Sequence, residues 1–275
     1  MNDRMSGTTR VVAYCLLGLA CALTIVPLLY VVSLSLQTEA ETLSAHPVLW
    51  PDTPRFDNYA TLFKLAPFGD FILNSVVVAG TITVAHLIFD PLAGYAFAKF
   101  RFPLRNTLFI ALLATLMVPF FIRMVPLFVM MSNLGWLNTY QALIVPFLMD
   151  AFGIFLMRQF IQPIPDDLMD AARADGAGEL RVYWQIVLPQ VKPALAVLGL
   201  FTFVFQWNEF LWPLVATKTE NMRTIPVGLT QFNQENFTLW HLTAAGSIIL
   251  FVPTALLFLF TQRYFVRGIT LSGLK

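Results

Sequence analysis

The sequence predicts an all-α integral membrane protein of six transmembrane helices, with a cytoplasmic two-helix loop between the fourth and fifth. Three observations predict it: the composition, a set of apolar windows, and one long polar segment among them. The chain has 275 residues, 57% hydrophobic and 12% charged, where a soluble domain carries roughly 25% charged residues. That length suits a single domain, taken as 1–275. A membrane-crossing helix needs roughly 20 mainly apolar residues. Windows of that kind lie at 11–36, 71–97, 107–131, 139–160, 193–216 and 240–262.

Each window has its own features. The first holds both cysteines, Cys15 and Cys21, whose plain reading is small apolar filler. Its apolar run continues past Cys21, so a retained helix is expected rather than a cleaved leader. The third contains Arg123, about 25 Å along a straight rod from Thr107, which places it near the outer interface. The fourth carries Asp150 near its middle and the fifth carries "QWNEF", residues 206–210. Pro27, Pro91, Pro119, Pro126, Pro146 and Pro253 fall inside windows, where membrane helices tolerate proline if neighbours satisfy the freed carbonyls.

Basic residues orient the bundle. With the N-terminus inside, the cytoplasmic segments hold twelve: Arg4, Arg10, Lys99, Arg101, Arg105, Arg158, Arg173, Arg181, Lys192, Arg263, Arg267 and Lys275. The outer segments hold four, Arg55, Lys64, Lys218 and Arg223. The positive-inside rule therefore predicts both termini in the cytoplasm of a multi-pass protein. Residues 161–192 become the largest cytoplasmic loop. The net charge of +1 gives no reason to expect nucleic acid.

That loop reads as two short helices with a bend. Pro165, Asp166 and Asp167 suit a helix start, where free N–H groups and the dipole favour carboxylates. Ala171, Ala172 and Ala174 propagate it, and Gly176 supplies a left-handed stop. From 178 to 188, Leu180, Tyr183, Trp184 and Val187 form an apolar stripe at helical spacing, ended by Pro189. Helices this short are marginal alone in water, so they must pack on the span ends or on a second protein. The small residues Ala171, Ala172, Gly176 and Ala177 permit close approach in a partner's cleft, while a helix lying at the headgroup level is the plain alternative.

The run "DAARADGAGELRVYWQIVLPQVKPAL" resembles the signature loop of bacterial ABC-importer permeases. Asp170-Ala171-Ala172 stands for the usual Glu-Ala-Ala, followed by Asp175-Gly176-Ala177 and by Ile186, Leu188 and Pro189 of the Ile-x-Leu-Pro ending. Aspartate in place of the usual glutamate keeps the charge with a shorter reach. "FRFPLRN", "MVPLF", "LGWLNTY", "FGIFLMRQF", "WNEFLWPL" and "QRYFVRGITLSGLK" extend the likeness to the carbohydrate-uptake permeases, the branch that includes the maltose-system inner permease. The resemblance implies a binding-protein-dependent importer in the cytoplasmic (inner) membrane of a bacterium or archaeon. It implies a second permease subunit as a heterodimer partner, two ATP-binding cassette subunits and an extracytoplasmic solute-binding protein. It also implies that the loop docks on the ATPase and that the tail, with Ser272, Gly273 and Lys275, touches the ATPase dimer. "TQFNQENFTLW", with Phe232 and Phe237, resembles the outer loop that meets the binding protein.

No lysine follows a glycine, so a Walker A sequence is absent and no cofactor is expected on this chain; ATP and Mg belong to the partner ATPase. His46, His86 and His241 show no metal spacing and no nucleophile elbow occurs, so neither a metal nor a catalytic activity is expected. A candidate substrate path comprises Asp150, Gln206, Trp207, Asn208, Glu209 and Arg123. Carboxylates and amides would bind hydroxyls, and the indole would support a sugar's C–H face. Interhelical hydrogen bonding is the alternative for Asn208 and Glu209. Snorkelling is the alternative to an anion-binding role for Arg123. Asp90 reads as a local cap or a partner of Lys99. The expected function is import of a sugar or related polyol, with glycerol phosphate or another polar solute as the alternative cargo. An ion-coupled secondary transporter using Asp90, Asp150 and Glu209 as a relay is the remaining alternative.

Overall fold

Apolar windows become helices here, but three of them are interrupted. The structure is a computed structural model that describes residues 7–44, 46–233 and 238–272, with side chains described between 9 and 262. Among the described residues four stretches are long and apolar enough to cross a membrane: Thr9–Ser35, Phe68–Lys99, Tyr140–Ile161 and Trp240–Gln262. Two bent pairs bring the total to six if each is one span. Arg105–Thr115 meets Phe120–Asn133 at 96°, and Glu179–Gln190 meets Lys192–Asn208 at 82°.

The breaks have local causes. In the third window Pro119 stands before the second helix with extended ψ of 142°, and proline supplies no N–H to carry the ladder through. The straight rod expected for 107–131 is therefore bent, and the length count that placed Arg123 near the outer interface does not apply. In the fourth, helix Tyr140–Ile144 tightens into a 3₁₀ turn at Val145–Phe147 around Pro146, and a second helix runs from Ala151 to Ile161. In the fifth, Lys192–Asn208 ends at an extended Glu209 and Leu211–Ala216 begins anew.

The chain divides into two compact units. One comprises Met1–Ala66 and Leu229–Phe251. Its first helix, Gly7–Ser35, is apolar around its circumference, and no residue of its most apolar window is buried within this chain. After it comes a polar knot. Gln37 Nε2 donates to Val48 O at 2.7 Å, and Asn58 Nδ2 donates to Ser35 O and Gln37 O. Thr38 and Glu41 form a reciprocal capping box around helix Glu39–Thr42.

The other unit comprises Pro67–Gly228 and Val252–Lys275. The second span, Phe68–Lys99, is its hub and packs along Ala151–Ile161 and Lys192–Asn208. Apolar clusters among the described residues hold it. The first gathers Tyr95, Met157, Ile161, Met169, Tyr183, Val187 and Leu198. The second gathers Val78, Ile82, Met131, Leu143, Trp212 and Ala216. The polar loop of the sequence thus buries Met169, Val182, Tyr183 and Val187 in the same core as the spans, which is how two short helices gain stability they lack alone.

Candidate functional site

The first loop helix runs from Asp166 to Ala174, with Asp166 and Asp167 in its first turn. Its end is a Schellman motif. Gly176 adopts φ +83°, its N–H donates to Arg173 O at 3.0 Å, and the Ala177 N–H donates to Ala172 O at 2.9 Å. The second helical run starts at Glu179 and widens into a π-helix at Tyr183–Val187. This changes the stripe expected from α-helical spacing. Val182, Tyr183 and Val187 are buried, while Leu180 and Trp184 are 69% and 58% exposed. The i→i+5 bonding brings residues five apart onto one face, so Val182 and Val187 are buried together and Trp184 points outward. Ile186 is half-buried, Leu188 is buried and Pro189 is exposed.

An ion pair fastens the first piece to the second span and a tyrosine hydrogen bond the second. Lys99 Nζ sits 2.7 Å from Asp166 Oδ1 and donates to the carbonyls of Gln162 and Ile164. The hydrogen bond and charge of Lys99 hold the Asp166 carboxyl below the usual range. Lys99 is therefore not the partner of Asp90, as its position had suggested; the Lys99 ammonium is taken by the loop. Tyr95 donates its hydroxyl to Glu179 Oε2 at 3.1 Å. Arg173 forks onto Glu179, with Nε to Oε1 at 2.7 Å and Nη2 to Oε2 at 3.1 Å, and reaches Asp170 through Nη1 at 2.7 Å. The Arg173 hydrogen bond depresses the Glu179 carboxyl, and the two carboxylates raise the guanidinium. Arg173 and Glu179 are about one-third and one-half exposed, so each bond is worth about 0.5–1 kcal/mol, and the fork contributes chiefly geometry. Around this frame Leu168, Ala171, Ala174, Asp175 and Gly176 form an exposed surface with Leu180 and Trp184 nearby in sequence. Ala172 and Ala177 are half-buried.

The substrate-path residues fall at the helix breaks. Asp150 caps helix Ala151–Ile161, with Oδ1 accepting from Gly153 N at 2.8 Å. Glu209 Oε1 accepts from the N–H groups of Leu211 and Trp212 at 3.0 and 3.2 Å, serving the next helix. Asn208 bonds its own helix at Val204 O, and Gln206 is half-buried. Trp207 is 2% exposed with one face stacked on Phe203 at 5.3 Å. Arg123 is exposed, its guanidinium 5.9 Å from the Phe120 ring centroid. Phe232 is buried; Phe237, Gly273, Lys275 and the Ser272 side chain lie outside the described residues.

Sequence reasoning missed two polar clusters. His86 and Asp90, 2% and 0% exposed, lie with His86 Nδ1 2.7 Å from Asp90 Oδ2, and His86 Nε2 is 2.9 Å from Phe147 O. Their i,i+4 spacing was the available signal. Asp150 brings a third ligand-type atom within 4.8 Å. The positive end of helix Ala151–Ile161 meets this group and favours the carboxylates over an added cation. Near the other end of the second span, Asn74 Nδ2 donates to Asn221 O and Arg223 O, and Tyr140 donates to Asn74 Oδ1 at 2.6 Å. Asn138, at φ +64°, accepts from the backbone of Lys218 and Thr219.

Membrane-length helices, the second of which grips a structured polar loop, with acids at helix breaks, suit a membrane permease. The chain belongs to the family described as binding-protein-dependent transport system inner membrane component, which it matches over residues 91–271. It is 38% identical to an arabinooligosaccharide transport system permease of Halalkalibacterium halodurans, over 82% of this chain and 81% of that one. It is equally 38% identical to an sn-glycerol-3-phosphate transport system permease of Yersinia enterocolitica, over 83% and 82%. Its fold matches that of a bacterial ABC transporter involved in import of the acidic polysaccharide alginate, at TM-score 0.84 and 25% identity, covering 96% of this chain and 100% of that one. The chain is thus the membrane-spanning permease component of a binding-protein-dependent ABC importer, not its ATPase.

Proposed function

We propose that this chain imports a sugar oligomer or related polyol, as one half of a permease heterodimer in the inner membrane of a bacterium or archaeon, with both termini cytoplasmic. Two ATP-binding cassette subunits hold ATP and Mg, and a solute-binding protein delivers cargo from outside. Closure of the ATPases moves the loop helices, and the spans exchange inward- and outward-open states. One observation carries this reading: the loop exposes a small-residue surface with Trp184 while its other side is bonded through Asp166 and Glu179 to the second span. Such a part receives force and passes it on. Relatives named for arabinooligosaccharides and for glycerol phosphate match equally well, so glycerol phosphate is retained as a second cargo because Arg123 is an exposed cation within the third window.

The test is reconstitution of the permease with the ATPase, sister permease and binding protein of its own system, followed by uptake of labelled arabinooligosaccharide and glycerol phosphate. ATP-dependent uptake of the oligosaccharide, unaffected by Arg123→Gln, supports the first cargo. ATP-dependent uptake of the phosphate ester that falls with Arg123→Gln supports the second. Uptake that stops with an uncoupler and persists without ATP would refute both.

A further inference from the structure

The helix Ala151–Ile161 is gripped by the second span at three levels. At its N-terminal end the Asp90 carboxyl group presses so close to Gly153 that a Cβ there would fall 1.8 Å from Asp90 Oδ2. In the middle the backbones approach at Gly94, where a Cβ would lie 2.9 Å from Arg158 N and from Met157 Cβ. At the C-terminal end the Lys99 ammonium takes the Gln162 and Ile164 carbonyls, and through Asp166 the start of the loop helix. A carboxyl group at the N-terminus and an ammonium at the C-terminus are set beside the helix's unpaired backbone groups, and the ammonium matches the dipole. The spacing matches too. The 11 residues of the helix rise about 16 Å, and Asp90 to Lys99 spans about 14 Å.

His86 completes the upper grip. The Phe147 carbonyl only accepts, so Nε2 carries a hydrogen; Nδ1 and Asp90 Oδ2 at 2.7 Å then have one proton between them. Span 2 therefore holds both sides of the break, the Phe147 carbonyl and the helix that starts at Ala151.

We propose that span 2 and helix Ala151–Ile161 form one rigid member, clamped by Asp90, His86 and Lys99, that delivers the loop's displacement to the break at residues 148–150. These three are positioning residues, and the inference rests on the ATP-driven function above. Coupling travels through packed elements with two arrangements, and here the member begins at the loop helix and stops where the fourth window loses its helical hydrogen bonds.

The experiment labels the assembled complex, in a background with Cys15 and Cys21 replaced by serine, at Asp167→Cys on the loop or at Met149→Cys on the break; both side chains are exposed. The reporter is a spin label and the stimulus is MgATP. Both labels respond when the clamp is intact. In Gly153→Ala, whose Cβ displaces the Asp90 carboxylate, and in Lys99→Gln, the loop label still responds while the break label loses about tenfold of its response, a coupling change within the usual range. Lys99→Arg restores it, and adding Gly153→Ala to Asp90→Ala has no further effect. Break-label responses that persist at full size in Gly153→Ala and Lys99→Gln overturn the inference. Should Gly153→Ala fail to accumulate, the Lys99 pair decides alone. A loop label silent toward MgATP with the clamp intact refutes the proposed function instead.

Discussion

At Gly176 the backbone holds φ +83°, and a Cβ added there would meet nothing within 4 Å. A substitution at this site therefore changes backbone strain without a clash. An L-residue in the left-handed region costs about 1–2 kcal/mol, and asparagine tolerates it better than alanine. Helix Asp166–Ala174 has nine residues and depends on its Schellman end to turn the chain into Glu179. A cost of that size lowers the population of the correct bend by roughly 5–30-fold. Gly176→Ala should reduce ATP-driven uptake and ATPase copurification severalfold, Gly176→Val more, and Gly176→Asn least of the three. Asparagine is larger than alanine, so this order separates strain from volume. The assay is uptake per complex in proteoliposomes, normalised to permease in the membrane. Losses that rise with side-chain volume, asparagine worse than alanine, would refute the reasoning.

Trp184→Ala and Leu180→Ala remove exposed side chains, so membrane levels should hold while ATPase affinity drops by about 2 kcal/mol for the tryptophan, read by copurification against ATPase concentration. Arg173 lowers the Glu179 carboxyl from 4.5, so the pair's contribution is complete above that value and is lost as pH falls through the depressed one. Amide exchange across residues 166–182, corrected for intrinsic rates, should be flat above the ordinary carboxylate range and accelerate below it; Asp166, held down by Lys99, titrates there as well, so Glu179→Gln should weaken that acid step and Glu179→Gln with Asp166→Asn should remove it. Glu209→Ala should cost about 1 kcal/mol through lost capping, seen as a lower unfolding temperature with substrate KM unchanged. A raised KM at unaltered stability would assign Glu209 to the cargo instead.

The loop was legible because its signals are local. Charge, alanine content and a glycine at a left-handed position specify the Asp166–Ala174 helix and its stop without reference to the rest of the chain. The helix breaks were not, because an apolar window counts side chains and is blind to the hydrogen-bond ladder. Pro119, Pro146 and Glu209 were visible, yet each sits in a run that remains apolar on both sides. Asp150 shows the cost of reading an intramembrane acid only as a ligand, since Asp150 followed by Gly153 also has the spacing of a helix N-cap. The outward turn of Trp184 depends on the π-helix, which periodicity at 3.6 residues cannot reveal.

The interruption of the fourth window has a consequence for how the chain is made. Its Phe147 carbonyl faces His86, which is synthesised earlier, but its Ala142 carbonyl is taken by the Trp212 indole N–H at 2.9 Å, which emerges some seventy residues later. In lipid an unsatisfied carbonyl is costly. The backbone of the fourth window is therefore completed only by a residue of the fifth, so the two windows depend on each other for a stable place in the membrane.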